Sequence, residues 1–110
     1  MLRALTTAAT GMIAQQNNLD VISNNIANLS TYGYKKVRAQ FQDLLSQTVR
    51  TAGAQTGQGT YQPVGIEIGL GTKTSATTRI FSTGTLQSTD RNLDMAIAGD
   101  GFFQVTLDDG

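Results

Sequence analysis

Apolar residues recur every seven positions near the start of the chain, at Leu5, Met12, Leu19 and Ile26. Ala8, Ile22 and Leu29 fall three residues after the first, third and fourth of these, and Gln15 holds the equivalent place after the second. This is the a/d spacing of a helix that packs along a narrow seam against another helix. It predicts one long helix from Met1 to about Leu29, with Leu5, Met12, Leu19, Ile22, Ile26 and Leu29 as the seam. Gly11 is its one weak point, costing about 1 kcal/mol relative to Ala if exposed. Gly33 lies just past the periodic stretch, where a left-handed residue can close the last turn.

The rest of the helix surface is polar but almost uncharged. Between Leu5 and Tyr34 the only charged residue is Asp20, while Gln15, Gln16, Asn17, Asn18, Asn24, Asn25 and Asn28 supply polar groups. Ordinary amphipathic helices carry charged outer faces and i,i+4 ion pairs. Two readings fit: a helix enclosed by neighbours on several sides, or a solvent-facing helix with an Asn/Gln-rich surface. Asn24, Asn25 and Asn28 are the candidates for hydrogen bonds between neighbouring helices. An isolated helix is marginal in water and an a/d seam needs a partner. No second heptad segment occurs in the remaining residues, so the partner is expected from another chain or from sequence beyond these residues.

Beyond the helix the pattern changes twice. Val37, Phe41, Leu44 and Leu45 stand at helical spacing and allow a short helix around Phe41 to Gln47. Thr51 to Pro63, with Gly53, Gly57 and Gly59, has no apolar periodicity and reads as a flexible connector or an extended two-stranded loop. From Val64 the texture is β: Ile66 and Ile68 flank Glu67, Thr72 to Phe81 is Thr-rich, and apolar residues alternate at Leu93, Met95 and Ile97 and at Phe103, Val105 and Leu107. Asp109-Gly110 is a hairpin-turn signal that calls for a following strand, so the β domain is expected to be incomplete. The fold class expected is α+β: a coiled-coil-type helix (1–34), a connector with a Gly-rich insert (35–63), and a partial, mainly antiparallel β domain (64–110).

Composition narrows the chemistry. The chain has no cysteine and no histidine, which removes disulfides, thiol catalysis, Cys/His zinc sites and His-based triads. Eight basic residues offset eight acidic ones, so no net field draws the chain to nucleic acid. Charged residues are only 15%, against roughly 25% in average globular proteins. That balance suits a surface partly covered by other protein, and it equally suits a Thr-rich β domain. No apolar run approaches the roughly 20 residues needed to span a bilayer. The N-terminal stretch lacks the continuous apolar run of a cleaved secretory signal, so any export is expected by a route that does not read one.

Weak motifs do not amount to a site. Gly69-x-Gly71 lacks the third glycine of a dinucleotide loop, since position 74 is Thr. Asp90, Asp94, Asp108 and Asp109 lack the alternating ligands and terminal Glu of a calcium loop. Asn28-Leu29-Ser30 matches a glycosylation sequon at a helix end, a three-residue pattern that arises often by accident. Lys35-Lys36-x-Arg38 reads as a solvated or salt-bridged basic surface. No catalytic, cofactor-binding or metal-binding residues are expected, and an enzyme is the weakest reading.

Residues Ala4 to Leu45 closely resemble the N-terminal signature of the flagellar rod and hook axial proteins. The match is densest over Leu19-Asp20-Val21-Ile22-Ser23-Asn24-Asn25-Ile26-Ala27-Asn28, followed by Thr31-x-Gly33-Tyr34-Lys35. Gly99-Asp100-Gly101-Phe102-Phe103-Gln104-Val105 is also similar to that family. The stretch Phe41 to Pro63 resembles the connector of the distal-rod members, whereas hook members share the helix without that insert. The resemblance implies a structural subunit, exported through the flagellar type III apparatus and assembling helically with itself. Implied partners are proximal rod and hook axial proteins and the peptidoglycan and outer-membrane rings, with the rod in the periplasmic part of the basal body. It also implies a C-terminal helix that pairs with the first one and is absent from these residues. Thr51, Gly53, Gly57, Gly59 and Pro63 are then expected to set packing between subunits. Two alternatives stand beside the distal-rod reading: another rod or hook subunit, and a β binding module dimerised by a coiled coil.

Overall fold

The computed structural model describes residues 1–109 and divides the chain into two units, Met1–Ile80 and Phe81–Gly110. Gly110, and with it the expected Asp109-Gly110 turn, lies outside the described residues. The fold is α+β, with one long helix and antiparallel strand pairs.

Helix α1 spans Leu2–Ala27. Its run of Ala, Leu, Met, Ile and Gln without proline favours the helical backbone. The periodic stretch predicted two further residues. Asn28 ends the helix first, with φ −97° and ψ 15°, and its Nδ2 donates to the Asn24 carbonyl at 2.9 Å. The Asn28 backbone amide donates to the same carbonyl at 3.1 Å, so side chain and backbone close the last turn together. Gly33 does adopt a left-handed φ of 72°, but it ends the turns that follow the helix and not the helix itself.

Where a short helix around Phe41 to Gln47 was expected, the chain is extended. β1 (Val37–Asp43) pairs antiparallel with β6 (Thr72–Arg79), β2 (Gln47–Arg50) with β5 (Ile66–Ile68), and β3 (Gln55–Gly57) with β4 (Thr60–Tyr61). The same residues satisfy both periods, since Val37, Ala39 and Phe41 also alternate with Arg38, Gln40 and Gln42. A cross-strand partner decides between them, and β6 provides it. The pairs are nested, so Val37 to Arg79 is one long hairpin with three ladders. Thr51 to Pro63 is therefore its two-stranded tip, closed by Gly59 at φ 80°. The boundary expected between residues 63 and 64 falls inside this hairpin.

α1 lies against β1 and β6. The ladder has a bulge at Ser75: Gln40 faces Ala76, yet Phe41 faces Thr74. An extra residue re-phases the strand beyond it, so Thr74 and Thr72 meet the helix. Gly71, at φ 119°, lets the chain pass directly under Thr10. A Cβ there would collide with the Thr10 hydroxyl.

In the unit Phe81–Gly110 the expected alternations at Leu93–Ile97 and Phe103–Leu107 form no strands among the described residues. Alternation yields a strand only where a partner completes the ladder, and no described segment does so. The unit is held instead by an edge-to-face pair of Phe81 and Phe102, with ring centroids 5.4 Å apart, and by turns that include Asp90 at φ 53°. No helix among the described residues is long and apolar enough to cross a membrane.

Gly71→Ala should loosen the seat of α1 on β6. We expect a loss of about 1–3 kcal/mol, the scale of a strained backbone position. Faster amide exchange at Thr72, with Gly84→Ala unchanged as a control, checks it.

Candidate assembly interface

Two stripes run along α1 on opposite sides, and they differ in chemistry. A helix turns through seven residues in just under two full turns, so residues seven apart stay on one side. Arg3, Thr10 and Asn17 are seven apart, and all three bond the hairpin. Arg3 Nη1 donates to Gln47 Oε1 at 2.8 Å, and the Thr72 amide donates to Thr10 Oγ1 at 3.4 Å. Asn17 Nδ2 donates to Thr74 Oγ1 at 3.0 Å.

Asn25, eight residues after Asn17, lies toward the same side and also bonds the hairpin. Its Nδ2 donates to the Val37 carbonyl at 2.7 Å. Its Oδ1 accepts from the Val37 amide at 3.0 Å and from the Tyr34 hydroxyl at 2.9 Å. One amide therefore bonds both backbone groups of the first residue of β1. The extended chain entering β1 has no other strand partner for those groups at that point, and a half-buried polar group left unpaired costs about 1–3 kcal/mol.

The three asparagines expected to bond neighbouring helices are engaged inside the chain. Asn25 joins helix to strand, and Asn28 Nδ2 bonds Asn24 Oδ1 at 2.7 Å as well as the Asn24 carbonyl. Thr31 Oγ1 in turn donates to Asn28 Oδ1 at 3.2 Å. Local helix-end geometry claims these amides, as it commonly does for Asn. The hairpin covers part of this uncharged face, at Asn17 and Asn25, while Gln15, Gln16 and Asn24 stay exposed. Sequence reasoning missed Arg3, Thr10, Tyr34 and Val37. The seven-residue spacing of Arg3, Thr10 and Asn17 was the available signal.

The other stripe is the apolar one, and it is bare. Leu5 is 66% exposed, Met12 68%, Leu19 61%, Ile22 42%, Ile26 66% and Leu29 84%. Among the described residues only Ala14, under the ladder, is buried. Fully burying a Leu, Ile or Met side chain contributes about 1.5–3 kcal/mol. Five such residues along one helix, with Leu29 just past its end, are more apolar surface than a monomer usually leaves open. Thr51, Gly53, Gly57, Gly59 and Pro63 are likewise exposed, at the tip of the hairpin. Gly53 has φ 81° and Gly59 φ 80°, whereas Gly57 is paired with Thr60. No group of three or more potential metal-ligating His, Cys, Asp or Glu side chains forms among the described residues.

The helix is thus bonded to its own hairpin on one side and exposes apolar heptad positions on the other. Comparison with known proteins shows what the chain is similar to. Residues 5–35 match the family model of the flagella basal body rod protein. Over 110 residues the chain is 52% identical to the flagellar basal-body rod protein FlgG of Borreliella burgdorferi, covering 100% of this chain and 42% of that protein. It is also 52% identical to the FlgG of Agrobacterium fabrum, over 99% of this chain and 42% of that one. It is 47% identical to the flagellar hook protein FlgE of Helicobacter pylori, over 100% of this chain and 15% of the hook protein. The chain is thus similar to flagellar rod and hook axial proteins, and it spans 42% of the length of the rod proteins it matches.

Asn25→Ala should release the β1 entry and cost about 3 kcal/mol, from three hydrogen bonds worth about 1 kcal/mol each. Tyr34→Phe removes one of them and should cost about a third as much. Chemical denaturation, with amide exchange at Val37 as the local readout, checks both.

Proposed function

We propose that this chain is part of a structural subunit of the flagellar rod, in its distal section, and that it has no catalytic role. The observation that carries the reading is the bare apolar stripe of Leu5, Met12, Leu19, Ile22, Ile26 and Leu29, held outward because the opposite stripe is bonded to the hairpin. In an assembled rod that stripe packs against helices from outside these residues, as coiled-coil seams do. The subunit polymerises with itself, helically, into a shaft in the periplasmic basal body that carries torque to the hook. Proximal rod and hook axial proteins are its neighbours along the shaft, and the peptidoglycan and outer-membrane ring proteins surround it. The flagellar type III apparatus delivers it. The reading needs no cofactor, metal or nucleic acid.

The hairpin tip is the second working surface. Thr51, Gly53, Gly57, Gly59 and Pro63 set packing between neighbouring subunits and thus the straightness of the shaft. Support comes from the geometry of a hydrogen-bonded two-stranded projection, which transmits contact better than a coil of the same length. A hook subunit is the nearest rival. Rod proteins are favoured because they match at 52% identity with 42% of their length covered, against 47% and 15% for the hook protein. A discrete dimer of constant size in sedimentation would instead favour a coiled-coil-dimerised binding module.

Leu19→Asp with Ile26→Asp should abolish rod assembly while export remains detectable. Both positions are exposed, so the chain's own fold should change by no more than about 0.5 kcal/mol. Motile cells with intact rods would sink the seam assignment. Deleting residues 51–63 should alter rod curvature or stiffness, and unchanged straight rods in electron micrographs would count against the tip's role.

A further inference from the structure

The zero net charge of the chain conceals a division. Met1–Ile80 holds seven of the eight basic side chains and three of the eight acidic ones, a net charge of +4. Phe81–Gly110 holds one basic and five acidic side chains, a net charge of −4. Within the first unit the positive charge has a defined place. Val37 and Ala39 are sheltered on the helix side of the β1–β6 ladder, so alternation puts Arg38 on the face turned away. Thr74 bonds Asn17 on the helix side, so its neighbour Lys73 also lies on the outward face. Lys36, whose carbonyl accepts from the Ile80 amide, continues the phase of Arg38. Asp43 pairs with Thr72 on the helix side, which leaves the outward face of this ladder with cations and no carboxylate.

Among the described residues of the acidic unit, which form no strand ladder, Leu93 is 92% exposed, Met95 77% and Phe102 77%. We propose that the outward face of the β1–β6 ladder, through Lys36, Arg38 and Lys73, docks the acidic Phe81–Gly110 unit of a second copy of this chain. Two different surfaces, one from each unit, meet head to tail between copies, and a heterologous contact of that kind can build an open polymer. Complementary charge sets the register and excludes wrong partners, while the apolar residues of the acidic unit add burial. The proposal rests on the subunit reading above and deepens it by naming two surfaces distinct from the helix seam.

Two full-chain variants test it by mixing. Lys36→Glu/Arg38→Glu/Lys73→Glu reverses the face, and Asp94→Lys/Asp100→Lys/Asp108→Lys reverses the unit. In sedimentation at about 0.05 M salt the unchanged chain should associate, and each variant alone should do so about a hundredfold more weakly. An equimolar mixture should recover association, because each variant then presents what the other needs. Salt near 1 M, where screening acts within about 3 Å, should dissolve both assemblies. Failure of the mixture to recover, with the helix content of both variants unchanged, overturns the proposal. So does recovery only in a single chain carrying both reversals, which would point to contact within one copy. If the face variant instead loses binding to anionic lipid vesicles while self-association stays at full strength, the face belongs to a membrane surface. Full association of either variant alone refutes the docking but leaves the rod reading standing, since that reading is judged by the Leu19 and Ile26 variant.

Discussion

The hydrogen bonds of Asn25 to both backbone groups of Val37, with Tyr34 completing the set, fix where the first strand starts relative to the last turns of α1. The other placements in the first unit follow from that junction. With Val37 set, the β1–β6 register brings Thr74 to Asn17 and Thr72 to Thr10, and the hairpin carries Gln47 to Arg3. Apolar burial cannot hold these elements together, because Ala14 is the one buried residue described. A domain of this size normally relies on a hydrophobic core. Here directional polar bonds orient the parts, and the apolar side chains are left on the outside.

That inversion connects fold to assembly. A helix whose polar side is engaged by its own hairpin cannot rotate to hide its apolar side, so the stripe from Leu5 to Leu29 stays available to other helices. In the proposed rod, burial comes with association, which couples folding to assembly. The hairpin tip and the charged ladder face sit on elements that the same bonds orient.

The glycines at the tight points serve the same frame. Gly71 allows β6 to begin under Thr10, and Gly59 reverses the chain at the tip. Each sits at a positive φ that side chains rarely adopt, so the path of the hairpin depends on them.

The long helix was legible from the sequence, since a seven-residue apolar repeat over that length favours a helix. The absence of cysteine and histidine likewise ruled out whole classes of chemistry, and the signature from Leu19 to Asn28 pointed to the family. The extended state of Val37 to Asp43 was not legible, because those residues satisfy helical and strand periods together and only pairing with Thr72 to Arg79 separates them. The roles of Asn24, Asn25 and Asn28 were hidden for a related reason. An amide's partners depend on what tertiary structure brings within reach, and here the nearest groups belong to the same chain. The alternating segments after Phe81 show the converse limit. Local pattern alone does not make a strand, since a strand exists only where a second backbone completes its hydrogen bonds.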